Sequence, residues 1–174
     1  MAHSGAVGEV IRYVTRHGSA RLDRIVLVGA QGPCLLQRAD NPDGIPQDGF
    51  ETLLQQLKED LPRWIENNIE AFVPGASAGT RTWVSQMILG CSRRIAIDLQ
   101  RTIAEADLRS EAQRLDLPVT VIHGDLDASC PIVMTGRRYA KLIAGAHYIE
   151  YEGAAHGLML THAQRLAKLF PPRA

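Results

Sequence analysis

Two segments in the second half of the chain place polar residues directly after short apolar runs. Residues 119–123 lead into Gly124-Asp-Leu-Asp127, and residues 148–151 lead into a Gly/Ala stretch that ends at His156. Runs rich in β-branched residues and followed by glycine and acids are typical of buried strands that end in turns. Strands joined through a helix run parallel and end at the same edge of a sheet. We therefore expect Asp127 and His156 to meet at that edge.

An acid and an imidazole act together as a general base when a nucleophile stands beside them. The candidate is Ser4, which lies between Ala2 and Ala6 at the spacing of the two glycines in a Gly-x-Ser-x-Gly nucleophile elbow. Small flanking residues suit that turn because its strained backbone leaves no room for larger side chains. A helical pattern follows at residues 5–17. We predict that Ser4 is the nucleophile and that the N–H of Gly5 binds the oxyanion.

The chain order Ser4, Asp127, His156 is the order of the α/β-hydrolases. Two segments add to the likeness, His-Gly-Asp-Leu-Asp-x-x-x-Pro at 123–131 and Glu-Gly-Ala-x-His-Gly-Leu at 152–158. They resemble the cofactor-free haloperoxidase and esterase branch of that superfamily, and the resemblance extends over essentially the whole chain. It implies a parallel α/β sheet and a Ser–His–Asp hydrolase site that needs no metal, heme or flavin.

The resemblance reaches only the back part of the family pattern. In that family the nucleophile elbow lies well inside the chain, after several strands, whereas Ser4 is almost the first residue here. We therefore expect residues 1–174 to form a partial, N-terminally truncated α/β-hydrolase domain. The loop that supplies the family's second oxyanion donor has no counterpart in this sequence. Because loss of one donor lowers kcat by about 10² to 10³-fold, weak turnover is expected.

Two neighbouring residues compete for the acid and base roles. Asp125 also follows His-Gly, but the family motif places the acid four residues before the proline, which favours Asp127. Asp125 is then expected to bond nearby amides in the turn. His162 falls inside the last helical pattern, whereas His156 lies on a loop of small residues that lets its ring reach inward. His156 is therefore the predicted base.

The composition is that of an ordinary folded domain. Apolar residues make up 45% of the 174, charged residues 22%, and the formal net charge is zero, which does not favour nucleic acid or an anionic membrane surface as a partner. Three widely spaced cysteines (34, 91 and 130) form no disulfide framework or metal motif, and no apolar run approaches the ~18 residues of a membrane span. We expect a cytoplasmic protein, with His3 and His123 packed and hydrogen-bonded rather than catalytic.

Helices alternate with three predicted strands, near residues 24–29, 119–123 and 148–151, which indicates a parallel α/β sheet. The helices are predicted at 5–17, 48–72 with a break at Pro62, 81–106, 132–143 and 161–170, the last with Thr161 as N-cap and Pro171-Pro172 as stop. No strand is predicted between residues 29 and 119. By resemblance, residues from about 46 to 108 would form a helical cap inserted over the active site.

Apolar side chains on and around this insertion are candidates for the wall of a substrate pocket. They are Leu35, Phe72, Trp83, Met87 and Leu158. The alternative is that these residues only pack the cap onto the core. The resemblance implies a small substrate, an apolar or aromatic carboxylic ester, or a carboxylic acid that is perhydrolysed with hydrogen peroxide in a side reaction.

Two other functions remain open from the sequence. With no predicted strand before it, the strand at 25–28 would be a bare apolar edge, and such edges recruit other chains. The chain would then be a catalytically inactive fragment that acts as an interaction or dimerisation module, with a homo-oligomer formed through this edge. The third function is cofactor-free oxygenase chemistry, in which His156 with Asp127 acts as base and Ser4 is dispensable.

Overall fold

The computed structural model describes residues 1–170, and in that range four strands form one parallel sheet. They lie side by side in chain order as β1 (Ala2–His3), β2 (Ile25–Val28), β3 (Val119–Gly124) and β4 (His147–Tyr151). Because every pair is parallel, the carboxyl ends of all four strands lie at one edge. The predicted parallel α/β fold is confirmed.

The sheet has one strand more than the three predicted. β1 pairs with β2 through Ala2↔Leu27 and His3↔Val28. Two residues are too few to show a period of alternating hydropathy, so the sequence offered no signal for this strand. The prediction that β2 is a bare edge is wrong for its carboxyl half, which β1 covers, whereas the first two residues of β2 extend beyond β1.

Helices cover both faces of the sheet. On one face, a buried apolar cluster joins Ile25 and Leu27 of β2 to Val7 and Ile11. That cluster packs three helices, α1 (Ala6–His17), α5 (Arg109–Gln113) and α6 (Gly136–Leu142). On the other face, the alternate residues of β2 pack with Leu158 and other residues of α7 (Leu158–Thr161) and α8 (Ala163–Ala167). The alternation along β2 thus buries both faces, as expected for a parallel sheet.

Three helices lie between β2 and β3, namely α2 (Gln47–Phe72), α3 (Ala78–Leu89) and α4 (Arg93–Glu105). They pack on one another around a buried cluster of their own. The predicted break in α2 is present at Asp60, whose φ is −151°. The carboxylate of Asp60 accepts a hydrogen bond from the Arg63 N–H at 3.0 Å, so it begins the second half of α2, with Pro62 in the first turn. That these helices form a cap stays a prediction.

The predicted single helix at 81–106 is wrong, because two helices occupy this range. α3 ends at Leu89, with Gly90 as its C-cap, and the N-cap Ser92 begins α4 by accepting a hydrogen bond from the Ile95 N–H at 3.3 Å. A serine N-cap competes well with a continuous helix because its side chain satisfies a backbone donor. The apolar spacing alone did not show this break.

Two further helix boundaries differ from the prediction. α6 begins at Gly136 rather than at 132, since the Thr135 hydroxyl donates to the Pro131 carbonyl at 2.9 Å and closes a turn there. The last helix is divided at His162 into α7 and α8, and Thr161 is the final residue of α7 rather than an N-cap. The predicted stop at Pro171-Pro172 lies outside the described residues. None of the helices in residues 1–170 has both the length and the apolar character that crossing a bilayer requires.

Candidate active site

Ser4 occupies the sharp turn between β1 and α1. Its φ is 56°, in the left-handed region that a non-glycine residue adopts at a cost of about 1 to 3 kcal/mol. Backbone hydrogen bonds hold the turn: the Ser4 N–H donates to Val28 O at 3.1 Å, and Ser4 O accepts from the Gln31 N–H at 3.3 Å and the Val7 N–H at 3.2 Å. This geometry places the Ser4 side chain at the carboxyl edge of the sheet.

At that edge the structure brings together the three side chains predicted to react. Ser4 Oγ lies 3.0 Å from His156 Nε2, and His156 Nδ1 lies 2.7 Å from Asp127 Oδ2. A carboxylate only accepts hydrogen bonds, so the proton of the His156 ring lies on Nδ1 and Nε2 accepts from the Ser4 hydroxyl. The arrangement can therefore move the Ser4 proton to the imidazole while Asp127 holds the ring.

Asp127 is buried and accepts hydrogen bonds at both oxygens. Oδ1 accepts from the Cys130 N–H at 2.7 Å, and Oδ2 lies 3.2 Å from His123 Nε2 in addition to its contact with His156. Burial by itself raises the pKa of Asp127, but the hydrogen bonds from His123 and His156 outweigh burial and bring the pKa to about 2. The carboxylate is thus charged at neutral pH.

His3 packs against His156 from β1. Its Nε2 donates to the backbone carbonyl of His156 at 3.0 Å, and the two ring centroids are 4.6 Å apart. Burial, followed by the proximity of His156, lowers the pKa of His3 to about 4. Gly29, with φ of 49°, lies beside both rings, and a methyl group there would stand 3.3 Å from His156 Nδ1 and from His3 Nε2. The acid–base pair is therefore closely packed on this side.

Gly5 follows Ser4 at the N-terminal end of α1. The first N–H groups of a helix have no partner within the helix and carry its positive dipole end, which suits them to bind an oxyanion. A methyl group at Gly5 would lie 2.5 Å from Ile103 Cδ1 and 3.5 Å from Gln31 Oε1. α4 of the helical insertion thus reaches the turn beside Ser4.

Known proteins share this fold. A bromoperoxidase of Bacillus anthracis superimposes with a TM-score of 0.90 at 25% identity, over 97% of this chain and 63% of that structure. A non-heme chloroperoxidase of Kitasatospora aureofaciens is 31% identical over 166 residues, 92% of this chain and 60% of its own length. The chain belongs to the α/β-hydrolase superfamily. Within it the relatives place the chain in the non-heme haloperoxidase and esterase branch.

A third relative is a bifunctional esterase/perhydrolase of Acinetobacter calcoaceticus, 27% identical over 97% of this chain and 63% of the relative. No family model matches the sequence. The chain spans about 60% of the length of the curated relatives it matches.

The five predicted pocket residues lie in different surroundings in this α/β-hydrolase chain. Leu35 and Leu158 are buried, and the half-buried Phe72 sets its ring edge-on to His156, with centroids 5.2 Å apart. Trp83 and Met87 lie four residues apart on α3 and are 51% and 52% exposed, so neither is part of a closed pocket wall among the described residues. Contact of any of the five with substrate stays a prediction.

Phe72 also ties the helical insertion to the histidine loop. Its carbonyl accepts a hydrogen bond from the Gly157 N–H at 2.8 Å. A methyl group at Gly157 would stand 2.4 Å from Val73 Cγ1 and 2.7 Å from that carbonyl, so only glycine allows this approach. The end of α2 therefore fixes the loop that carries His156.

The competing acid and base have other partners. Asp125 accepts a hydrogen bond from the Gly153 N–H at 2.7 Å, which is the turn role expected for it. His162 Nδ1 forms an exposed hydrogen bond with the Thr161 hydroxyl at 2.9 Å. The contacts therefore favour Asp127 and His156 for the two roles.

One group of described residues has metal-binding chemistry. The ligand atoms of Asp127, Cys130 and His156 lie within 4.8 Å of one another. Both oxygens of Asp127 and both ring nitrogens of His156 already take part in the hydrogen bonds given above, and burial raises the pKa of the Cys130 thiol well above its usual range. The donor set therefore fits proton transfer better than metal binding.

Sequence reasoning missed three contacts of the site. It treated His3 and His123 as packed residues without linking them to His156 and Asp127, and it did not place Ile103 beside Gly5. A signal existed for Ile103, since Ile95, Leu99 and Ile103 recur at helical spacing. The contacts of the two histidines depend on which strands lie side by side, which the sequence pattern does not specify.

Proposed function

We propose that this chain is a serine hydrolase of small apolar or aromatic carboxylic esters, with Ser4 as nucleophile, His156 as base and Asp127 as acid. The observation that carries the proposal is the continuous hydrogen-bonded path from Ser4 Oγ through the His156 ring to Asp127, at 3.0 and 2.7 Å. These distances are within the reach that proton transfer requires. The names of the relatives, esterase and perhydrolase among them, agree with this chemistry.

In the proposed acylation step, His156 Nε2 takes the hydroxyl proton while Ser4 Oγ attacks the ester carbonyl carbon. The carbonyl oxygen becomes an oxyanion that accepts a hydrogen bond from the Gly5 N–H at the start of α1. The protonated ring then gives its proton to the leaving alcohol, and an acyl ester of Ser4 remains. Asp127 stabilises the imidazolium by its charge, which its low pKa preserves at neutral pH.

Deacylation repeats these steps with a second nucleophile. Water, deprotonated by His156, attacks the acyl carbon, and Ser4 leaves with the proton as the carboxylic acid forms. If hydrogen peroxide replaces water, the same step releases a peracid, so that an ester and peroxide give peracid and alcohol. A carboxylic acid that acylates Ser4 with loss of water gives, with peroxide, peracid and water. Both routes use the same three side chains and the Gly5 N–H, and they differ in the second nucleophile.

The residues beside Ser4 favour an apolar acyl group. Ile103 lies against the turn at Gly5, and the ring of Phe72 borders His156. Neither side chain offers a charge or a hydrogen-bond donor to a substrate, so desolvating an anionic or strongly polar acyl group there would cost free energy. We infer that neutral esters with short apolar acyl groups react best.

The test is active-site titration of the purified chain with a fluorophosphonate, which phosphonylates an activated serine. We expect labelling close to one equivalent, loss of labelling in Ser4→Ala, and loss of ester turnover in the same variant. Ser19→Ala is the matched control, since Ser19 lies outside the site. Folded protein that takes no label would contradict the proposal and favour the inactive interaction module, and turnover retained by Ser4→Ala would favour a base-only mechanism.

A further inference from the structure

His123 lies at the carboxyl end of β3 and is fully buried. Its Nε2 atom stands 2.8 Å from the backbone carbonyl of Cys130 and 3.2 Å from Asp127 Oδ2. Both are oxygens that only accept, because one is a carbonyl and the other a carboxylate. The Thr135 hydroxyl, 3.4 Å from Nε2, donates to the Pro131 carbonyl. The proton of the ring therefore lies on Nε2, where it is directed at Cys130 O and lies beside Asp127 Oδ2.

Close packing fixes the orientation of this ring. A methyl group at Gly136 would stand 2.5 Å from His123 Nδ1, so the first turn of α6 passes directly over that edge of the ring. No group among residues 1–170 forms a hydrogen bond with Nδ1. A 180° flip of the ring would put Cε1 in the place of Nε2 and leave Cys130 O and Asp127 Oδ2 without this donor, at a cost that burial makes large.

We propose that His123 is the positioning residue of the catalytic acid, donating a hydrogen bond that fixes the side-chain angle of Asp127. The inference rests on the function proposed above, since it concerns the same site. Asp127 Oδ2 has to point at His156 Nδ1 for the ring to stand correctly, and the Cys130 N–H holds only the opposite oxygen, Oδ1. His123 supplies a second donor, and it lies beside Oδ2, the oxygen that faces His156.

Loss of this donor would leave Asp127 Oδ2 free to turn away from His156. The imidazole would then lose the partner that holds its Nδ1–H, and His156 Nε2 would be misplaced relative to Ser4 Oγ, from which it lies 3.0 Å in the parent. Misplacing the base in this way slows the reaction.

Two variants of similar volume separate this role from packing. His123→Gln keeps an N–H donor close to the position of Nε2, whereas His123→Met fills the space without a donor. His147→Met is the matched control. His147 is exposed and is the first residue of β4, at the end of the strand away from the site. For each protein we would measure the rate of fluorophosphonate labelling as a function of pH, together with the melting temperature.

We expect His123→Met to be labelled about 10-fold or more slowly than the parent at every pH tested. His123→Gln should recover most of the rate, and His147→Met should behave as the parent. If His123→Met loses melting temperature but keeps the parent rate, His123 only packs the core and the inference is overturned.

A second measurement does not depend on reactivity. In protein labelled with ¹⁵N-histidine, long-range ¹H–¹⁵N correlation spectra distinguish a proton on Nε2 from one on Nδ1. We expect the Nε2–H form for His123, and a change in the low-field Nδ1–H resonance of His156 in the variants. An Nδ1–H form of His123 would overturn the inference even if His123→Met failed to fold. An Nε2–H form in protein that takes no label would leave the contact established and refute the proposed hydrolase function instead.

Discussion

Replacing Asp127 by asparagine is expected to lower kcat by about 10⁴-fold while the chain stays folded. The substitution keeps the shape of the side chain and exchanges one carboxylate oxygen for an NH₂ group. Asp127 accepts from the Cys130 N–H at Oδ1 and from His156 at Oδ2, both at 2.7 Å, so the amide satisfies only one side. The orientation it adopts decides the outcome.

If the amide oxygen faces the Cys130 N–H, the NH₂ group faces His156 Nδ1. The histidine then moves its proton to Nε2, where it points at Ser4 Oγ and can no longer accept from it. If the amide is reversed, the Cys130 N–H is buried without an acceptor, at a cost of about 1 to 3 kcal/mol. We expect the first orientation, because the change of tautomer at His156 leaves fewer buried donors without partners.

The assay is hydrolysis of a chromogenic acetate ester by the parent and the Asp127→Asn variant, with fluorophosphonate labelling as a second readout. Asp125→Asn is the control, since the Asp125 carboxylate accepts from the Gly153 N–H in the turn, and the variant should keep the parent kcat. Unfolding at low pH gives a further check. The pKa of Asp127 is lowered from 3.8 to about 2, so the stability it contributes is present above pH 3.8 and lost as pH falls toward 2. Asparagine does not titrate, so the variant should not show this loss of stability.

Two results would refute this reasoning. If Asp127→Asn retains kcat within about 10-fold of the parent, the carboxylate does not fix the tautomer of His156. If Asp125→Asn loses as much activity as Asp127→Asn at unchanged melting temperature, the acid has been misassigned and the contact between Asp127 and His156 serves structure alone.

Two other predictions concern the packing around Ser4. Gly5→Ala should destabilise the chain by about 1 to 3 kcal/mol, because the new methyl group would stand 2.5 Å from Ile103 Cδ1. Ile103→Val removes that atom, so the double variant should regain stability in a double-mutant cycle measured by denaturant unfolding. Additive effects of the two substitutions would show that the two side chains do not touch. The pKa of His3 is lowered from 6.5 to about 4, so its contribution to the free energy of unfolding is present above pH 6.5 and lost as pH falls to about 4, by at most about 3 kcal/mol. His3→Gln keeps the donor and should flatten that part of the stability curve, whereas parallel curves for the two proteins would show that His3 is not the titrating group.

Much of the fold followed from local patterns. Apolar runs at 25–28, 119–123 and 148–151 became β2, β3 and β4, and the helical spacing after Ser4 became α1. These segments are long enough for their hydropathy period to show which faces are buried. Their order then fixed a parallel sheet, since helices join them.

Boundaries set by single side chains were harder to predict. The break between α3 and α4 depends on the capping hydrogen bond of Ser92, and the late start of α6 depends on a turn closed by Thr135. A serine or threonine in an apolar helical pattern is compatible with either a continuous helix or a new N-cap. Which one forms depends on how the neighbouring helices pack. The apolar spacing carries no information on that packing, and by itself it favoured one long helix.

The sequence by itself determined the types and chain order of the residues that react: a serine at an alanine-flanked turn, an acid after one strand and a histidine after the next. Only the tertiary structure decided their surroundings. The strand β1 is too short to be recognised until β2 lies beside it, and His3, His123 and Ile103 reach the site only through strand pairing and the approach of α4. The physical reason is range: backbone preferences and hydropathy period act over a few neighbouring residues, whereas the hydrogen bond between Ser4 and His156 joins residues 152 positions apart.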